Sequence, residues 1–171
     1  MSHNRPMRTR SRDGARRPAA DSLVFEFLSA ADAVEARLEA ALSQTGLSLA
    51  KLAVLHLLAD AKEPLPLSDL AARQHCVRSN ITQLVDRLEN DGLVRRRADL
   101  DDRRSVLAEL TPAGRQAHAK GVRALAGAQR AIVRALEAGE ATSLQNALGA
   151  LSSKLVLPPS KRRLPWSTSS P

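Results

Sequence analysis

The chain has 171 residues, the length of one domain with short appendages, and 43% of them are hydrophobic, which is enough to form a core. Only 2% are aromatic and none is tyrosine, so the core has to be built from Leu, Ala and Val, a composition that favours closely packed helices. The one cysteine, Cys76, excludes an intramolecular disulfide, so nothing requires an oxidising compartment.

The net charge of +8 is located at the two ends of the chain. Residues 1–20 contain six arginines and one aspartate, and residues 158–171 contain three basic residues and no acidic one, so the segment 21–157 has no net charge. Neither end has a hydrophobic period, and we predict that both are disordered tails. Basic proteins often bind nucleic acid, but a charge excess confined to tails is weak evidence on its own.

The sequence shows neither a targeting nor a membrane-spanning segment. The N-terminus lacks the apolar core of a signal peptide, and no stretch approaches 18 uncharged apolar residues. We therefore expect a soluble, cytoplasmic protein with no membrane partner.

Two helices are predicted in the first third of the chain. Apolar residues at i, i+3, i+4 and i+7 predict a helix over 21–43, which Gly46 ends. Ser48 is a good N-cap for a second helix that runs to about residue 61. That helix is apolar on nearly all sides, which indicates a central position in the core.

A segment with two prolines separates these helices from two shorter ones. Residues 63–67 (EPLPL) can only be extended or form a turn, because each proline fixes φ and lacks an N–H group. Ser68 is predicted to cap a third helix over 69–74. A fourth helix is predicted over 78–90, ended by Gly92.

A hairpin with a charged tip follows the two short helices. Residues 93–97 (LVRRR) and 105–110 (SVLAEL) are predicted strands, joined by the loop ADLDDRR. Two short helices followed by such a hairpin form a helix-turn-helix with a wing.

Two longer helices complete the predicted order. Thr111 and Pro112 serve as N-cap and first residue of a helix that runs to about residue 138, where Gly139 is predicted to break it. A last helix is predicted over 142–155. The predicted fold class is mostly α, in the order H-H-H-H-β-β-H-H.

Four segments of the winged region resemble the MarR (multiple-antibiotic-resistance regulator) family of bacterial transcription factors. LVDRL, DGLVRR, DDRR and LTPAG occur in the family's order and spacing, at 84–88, 91–96, 101–104 and 110–114. At motif level the resemblance extends over 47–115. It implies a winged helix-turn-helix that binds double-stranded DNA, with terminal helices that form a homodimer.

The helix predicted over 78–90 has one apolar and one polar face. At 100° per residue its apolar residues fall within one arc, and Asp86 lies near the centre of the opposite face. Arg, Asn and Gln can hydrogen-bond base edges, so this face is predicted to enter the major groove, with Asp86 orienting an arginine. The alternative is a solvated helix surface. The predicted major-groove residues are Arg78, Ser79, Asn80, Thr82, Gln83 and Arg87.

The hairpin tip is predicted to contact the minor groove. Arg103 suits a narrow A·T-rich groove, where the negative potential is enhanced. By resemblance, Asp101, Asp102 and Arg104 support the wing through ion pairs; the alternative is a solvated, salt-bridged turn. Of the strand arginines, one or two are predicted to contact phosphates: Arg95, Arg96 and Arg97.

The terminal helices are assigned to a dimer interface by the resemblance, and their continuous apolar stripes have no other obvious partner; an intramolecular bundle is the alternative. Two recognition helices of a dimer would bind a pseudo-palindromic site. The predicted division is a basic tail (1–20), a dimerisation helix (21–47), a DNA-binding lobe (48–111), C-terminal dimerisation helices (112–157) and a second tail (158–171).

The resemblance also implies ways in which the protein could sense a signal. In the family a small aromatic or phenolic effector often binds near the lobe, and others use cysteine oxidation. Lys51 and His56 are the titratable candidates for an anionic effector, although His56 suits a core histidine with one hydrogen-bond partner. Cys76 suits a packing residue at the turn, with a redox role as the alternative.

We therefore predict a dimeric, sequence-specific DNA-binding transcriptional regulator, a repressor, possessing no cofactor or metal. The competing hypothesis is a winged-helix protein-interaction module without specific DNA recognition. An enzyme is not expected, because the four histidines have no metal-ligand spacing and no glycine-rich phosphate loop follows a strand.

Overall fold

A computed structural model describes residues 20–61, 63–74, 78–99 and 105–155. Contacts between Cα atoms divide the chain into a short unit that ends at Ala33 and a larger unit that begins at Val34. The described residues form six α-helices, α1 (Ala20–Leu42), α2 (Leu49–Asp60), α3 (Leu67–Arg73), α4 (Arg78–Asn90), α5 (Pro112–Arg134) and α6 (Ala138–Lys154), and a 3-10 turn, Ser43–Thr45, follows α1. They also form three strands, β1 (Leu65–Pro66), β2 (Val94–Ala98) and β3 (Val106–Leu110). The mostly helical winged fold predicted from the sequence is confirmed.

The sheet is antiparallel, in the order β1-β3-β2. Arg96 lies opposite Ala108 in the hairpin of β2 and β3, and Leu65 of β1 lies opposite the same residue on the other side. The prolines of 63–67 therefore belong to an extended segment, as predicted. The sequence did not predict that this segment pairs with β3 as an edge strand. Proline is tolerated there because an edge strand leaves one row of N–H groups outside the ladder.

The core lies in the larger unit and is aliphatic. α2 is its centre, since Leu52, Val54 and Leu55 have no exposed surface. α4 contributes Ile81, Val85 and Leu88, which are also fully buried. Leu125 of α5 packs against the same cluster, so the predicted central position of the second helix is confirmed.

Three predicted helix ends are confirmed, two by capping hydrogen bonds and one by its backbone conformation. The Ser48 hydroxyl accepts from the Lys51 amide at 3.2 Å, and the Thr111 hydroxyl accepts from the Gly114 amide at 2.9 Å. Gly92 follows α4 with φ of 71°, a left-handed conformation that glycine adopts without steric cost.

Two other predicted ends were wrong. α3 begins at Leu67 with Pro66 as N-cap, so Ser68 lies inside the helix and does not cap it. Gly139 lies in the first turn of α6, and the break falls before it, where Glu137 and Glu140 form a reciprocal capping box. Glutamate is an uncommon N-cap, which is why the sequence pattern pointed to the glycine instead.

Two glycines of α5 allow close packing. A Cβ atom on Gly114 would lie 1.9 Å from the carbonyl oxygen of Leu93, and one on Gly121 would lie 2.8 Å from Leu52 Cδ1. At Gly114 the neighbour is backbone, so α5 contacts the base of the hairpin at a distance that only glycine permits, whereas at Gly121 the neighbours are leucine side chains of the core.

Within the part of the chain that the structure describes, no single helix has the length and apolar composition to span a membrane; Ser22–Thr45 and Leu49–Asp60 meet that criterion only as a pair bent by 72°.

Candidate nucleic-acid interface

α4 separates a buried apolar face from an exposed polar one. Ile81, Val85 and Leu88 have no exposed surface and fix the helix on the core. The opposite side carries most of the predicted major-groove residues, of which Thr82 is half-buried and the rest are exposed: Ser79, Asn80, Gln83 and Arg87. Arg78 is the first residue of α4, and its side chain lies outside the described part. The face thus presents amide, hydroxyl and guanidinium groups on a rigid support.

Arg96 connects strand β2 to α4. Its Nη1 donates to Asp86 Oδ1 and, at 3.4 Å, to Glu89 Oε2, and its Nη2 donates to the Thr82 carbonyl oxygen at 3.1 Å. Its backbone amide donates to Glu89 Oε1 at 3.1 Å. We call Arg96, Thr82, Asp86 and Glu89 the Arg96 clamp. Asp86 thus orients an arginine, as the sequence predicted.

The three arginines of β2 have different surroundings. The Arg96 side chain is only 24% exposed, and its guanidinium is engaged by two carboxylates, so its prediction as a phosphate contact does not suit its position. Arg95 is 70% exposed and pairs with Glu109 on β3, and Arg97 is exposed. Arg95 and Arg97 therefore stay as the phosphate candidates of this strand.

Several predicted residues lie outside the described part of the chain. They are Cys76 before α4 and the hairpin residues Asp101, Asp102, Arg103 and Arg104. The strands on either side end at Ala98 and begin at Val106, so the loop predicted to reach the minor groove joins the two paired strands.

Lys51 and His56 occupy separate surroundings. Lys51 Nζ lies 2.6 Å from Asp91 Oδ2, so its ammonium connects α2 to the turn after α4. His56 Nδ1 lies 3.2 Å from His118 Nε2 on α5, with the two ring centroids 5.4 Å apart. His56 is half-buried and has a hydrogen-bond partner, as expected for a core histidine.

His118 was not singled out by the sequence, because it is 62 residues from its partner and lies in a stretch without a motif. Burial lowers the pKa of His118, and the neighbouring His56 lowers it further. One ring nitrogen has to donate and the other accept, so the contact requires at least one neutral ring. The two histidines therefore form a contact between α2 and α5, and the hydrogen bond in this contact depends on the protonation state of the rings.

A cavity of about 120 Å³ lies beside this histidine pair. Its walls are mainly aliphatic, and His56 and Gln129 supply the polar groups among the lining residues Leu52, His56, Val122, Leu125, Ala126 and Gln129. Ligand sites for drug-sized molecules are typically about 300–1,000 Å³, so this cavity suits only a small compound without widening.

Three comparisons with known proteins agree with this geometry. The MarR family model matches residues 47–106, which include the helix-turn-helix and most of the wing. The transcriptional repressor YetL of Bacillus subtilis is 42% identical over 71 residues, a match that spans 41% of this chain and 42% of that protein's length.

Solved structures show the same fold. A probable transcriptional regulator from Pseudomonas aeruginosa is 29% identical, with a TM-score of 0.65 over 77% of this chain and 97% of that one. A mutant MarR from E. coli, complexed with operator DNA, is 21% identical, with a TM-score of 0.66 over 76% of this chain and 93% of that one. With four family segments in order, the winged helix-turn-helix of this chain is similar to that of the MarR family over residues 47–106.

Proposed function

We propose that the protein is a sequence-specific regulator of transcription, a cytoplasmic repressor that binds double-stranded DNA as a homodimer. The observation that carries the proposal is α4, whose apolar face is fully buried at Ile81, Val85 and Leu88 while its polar face is exposed. A helix held in this way can enter the major groove without losing its packing. The similarity to the repressor YetL supports the regulatory role.

The exposed side chains of α4 have the chemistry that base recognition requires. Gln83 and Asn80 can form paired hydrogen bonds with adenine, and Arg87 can do so with guanine or bind a phosphate. Arg95 and Arg97 on the neighbouring strand are exposed and can neutralise phosphates, and Arg103 in the connecting loop is the candidate for the minor groove. The proposed interface thus combines base recognition with backbone binding.

The proposed dimer uses the terminal helices. Leu144, Leu148, Leu151 and Leu155 recur along α6 and are 38% to 50% exposed, and α1 exposes Leu23, Val24, Phe25, Phe27 and Leu28. An exposed apolar stripe of this length is typical of a surface that another chain covers. Dimerisation would place two α4 helices on one side of the DNA, about 34–36 Å apart, for a pseudo-palindromic site.

The proposed effector is a small aromatic or phenolic acid that binds beside His56 and releases the DNA. The aliphatic cavity between α2 and α5 supports this part of the proposal. A panel of such acids should raise the melting temperature of the protein and reduce its DNA affinity, and His56→Ala should remove both effects. If no acid in the panel changes DNA affinity, the effector part is wrong and the DNA-binding part is untouched.

The DNA-binding proposal is tested by selecting sequences from a random duplex pool with the purified protein. We expect an enriched inverted repeat, with half-sites one helical turn apart. Gln83→Ala should weaken binding to it by about fivefold to 150-fold, because a good bidentate base contact contributes about 1–3 kcal/mol of discrimination. Gln145→Ala, an exposed glutamine of α6, is the matched control and should bind as the wild type does.

A protein-interaction module would give a different result. Selection would then enrich no sequence, and Gln83→Ala and Arg103→Ala would leave function unchanged. Absence of any enriched sequence, with a folded and dimeric protein, would overturn the DNA-binding proposal.

A further inference from the structure

Arg96 contacts α4 at points two turns apart. Nη2 donates to the carbonyl of Thr82 near the start of the helix, and the backbone amide donates to Glu89 near its end. Seven residues of helix span about 10 Å. Contacts with both ends fix the rotation of α4 about its axis as well as its position along β2.

The clamp also deals with a charge that is unfavourable at a DNA interface. Asp86 lies on the polar side of α4, one turn from Gln83, and its side chain is 46% exposed. A free carboxylate there would repel phosphates. Nη1 of Arg96, on the hairpin, pairs with the Asp86 carboxylate, so the guanidinium already compensates this negative charge in the absence of DNA.

The clamp holds together the two parts of the proposed interface. Arg96 lies on β2, two residues before Ala98, where the loop that contains Arg103 begins. Fixing β2 on α4 therefore limits the motion between the recognition helix and the base of the wing. Arg95 and Arg97, on the same strand, are more exposed and lack such a role.

We propose that Arg96 is a positioning residue, which sets the orientation of α4 against the wing and neutralises Asp86 without itself contacting a phosphate. The inference depends on the proposed DNA binding and goes beyond it in assigning how the base-reading face is held. Affinity for the selected site should therefore depend on Arg96, whereas affinity for random DNA should depend on it much less, because nonspecific binding comes mainly from phosphate contacts.

The test compares Arg96→Gln with Arg97→Gln, two changes on one strand that each remove one positive charge. Affinity for the selected site and for a random duplex is measured at several salt concentrations, with the fold checked by circular dichroism. We expect Arg96→Gln to weaken specific binding by about tenfold to a hundredfold, the range for loss of hydrogen bonds to a charged group. The slope of log affinity against log salt should stay at the wild-type value.

Arg97→Gln gives the contrasting pattern. If Arg97 contacts a phosphate, the slope should decrease by about 0.9, with similar losses of affinity for both kinds of DNA.

A second change separates the two functions of the clamp. Asp86→Asn in the Arg96→Gln background removes the uncompensated carboxylate, so it should restore part of the specific affinity; urea denaturation of both variants shows whether the recovery exceeds any change in fold stability.

Several results would overturn the inference. If Arg96→Gln binds the selected site with wild-type affinity, Arg96 is not a positioning residue. If the slope of log affinity against log salt decreases by about 0.9 in this variant, Arg96 contacts a phosphate instead. If the double variant does not regain specific affinity, Arg96 does not act by neutralising Asp86. If Arg96→Gln does not fold, Arg96→Lys replaces it, since lysine keeps the charge but cannot form the forked contacts. Failure of the wild type to bind any selected site would overturn the proposed function, a separate outcome.

Discussion

α4 and α6 are both amphipathic, but they use their apolar faces differently. Ile81, Val85 and Leu88 of α4 are fully buried within this chain, so its polar face is the one left for a ligand. α6 has leucines at similar spacing, and each of the four keeps more than a third of its surface exposed. The comparison indicates that the winged lobe buries its own apolar residues within a single chain, whereas the leucines of α6 are left for the proposed dimer to cover.

The largest expected effect tests the completeness of the lobe. Leu88→Ala should lower the free energy of unfolding by about 2–5 kcal/mol, because the change removes a fully buried side chain from a packed core. Urea denaturation of the wild type and variant provides the measurement. The difference should be the same at all protein concentrations, and a strong concentration dependence would mean that Leu88 stabilises the lobe through the dimer.

The matched change on α6 should behave in the opposite way. Leu148→Ala removes a side chain that is 38% exposed in one chain, so its effect on the isolated subunit is small. In the proposed dimer the same residue is covered, and the cost should appear as weaker association, about 1–3 kcal/mol of dimerisation free energy. Sedimentation equilibrium measures it. A monomeric wild type at micromolar concentration would contradict the proposed dimer.

A smaller effect tests the link between Lys51 on α2 and Asp91 after α4. Lys51→Met removes a partly exposed ion pair of 2.6 Å and should reduce the free energy of unfolding by about 0–1 kcal/mol. The reduction should shrink at high salt, since the pair is partly screened. Thermal denaturation at low and high salt checks this, and a loss that is independent of salt would point to packing of the lysine stem.

The smallest effect concerns pH. The pKa of His118 is lowered in the folded chain, so the unfolded state binds the proton more readily once the pH falls below the ordinary value of 6.5. This contribution to stability is complete above that value and is lost as the pH falls towards the lowered folded pKa.

Urea denaturation between pH 8 and pH 5 measures the loss. His118→Gln keeps a hydrogen-bonding side chain but cannot titrate, so the difference between wild type and variant should become smaller at low pH. Parallel pH profiles would show that His118 does not titrate differently in the two states.

Local features of the fold could be predicted from the sequence. The bounds of α4, the caps at Ser48 and Thr111, and the end at Gly92 depend on a few neighbouring residues, and they are present as predicted. The short strand at Leu65 was missed because its only cause is pairing with β3, more than 40 residues later. The start of α6 was misplaced because the capping box uses an uncommon residue, Glu137.

The sequence predicted which residues of the site share a helix face. It did not predict which side chains of different elements contact each other. Periodicity placed Gln83 and Asp86 on the polar side of a helix, but it could not tell which arginine Asp86 would bind. Alternation along the strand separates Arg96 from Arg95 and Arg97, but only the register of β2 on β3 and the packing of α4 determine that the Arg96 face points inward. The pairing of His56 with His118 likewise follows from how α2 and α5 pack.

The hydrogen bonds of Thr111 connect the motion of α5 to that of the hairpin. Its hydroxyl donates to the Gly92 carbonyl at 2.8 Å while accepting from the Gly114 amide, and the Thr111 amide donates to the Leu93 carbonyl at 3.1 Å. The start of α5 is thereby fastened to the end of α4 and the base of the hairpin, and α5 continues for 23 residues. A rigid rod of that length, about 34 Å, converts a tilt of a few degrees at its far end into a displacement of about 2 Å at the hairpin. In a dimer, α5 would therefore act as a lever arm that sets the separation of the two DNA-binding lobes.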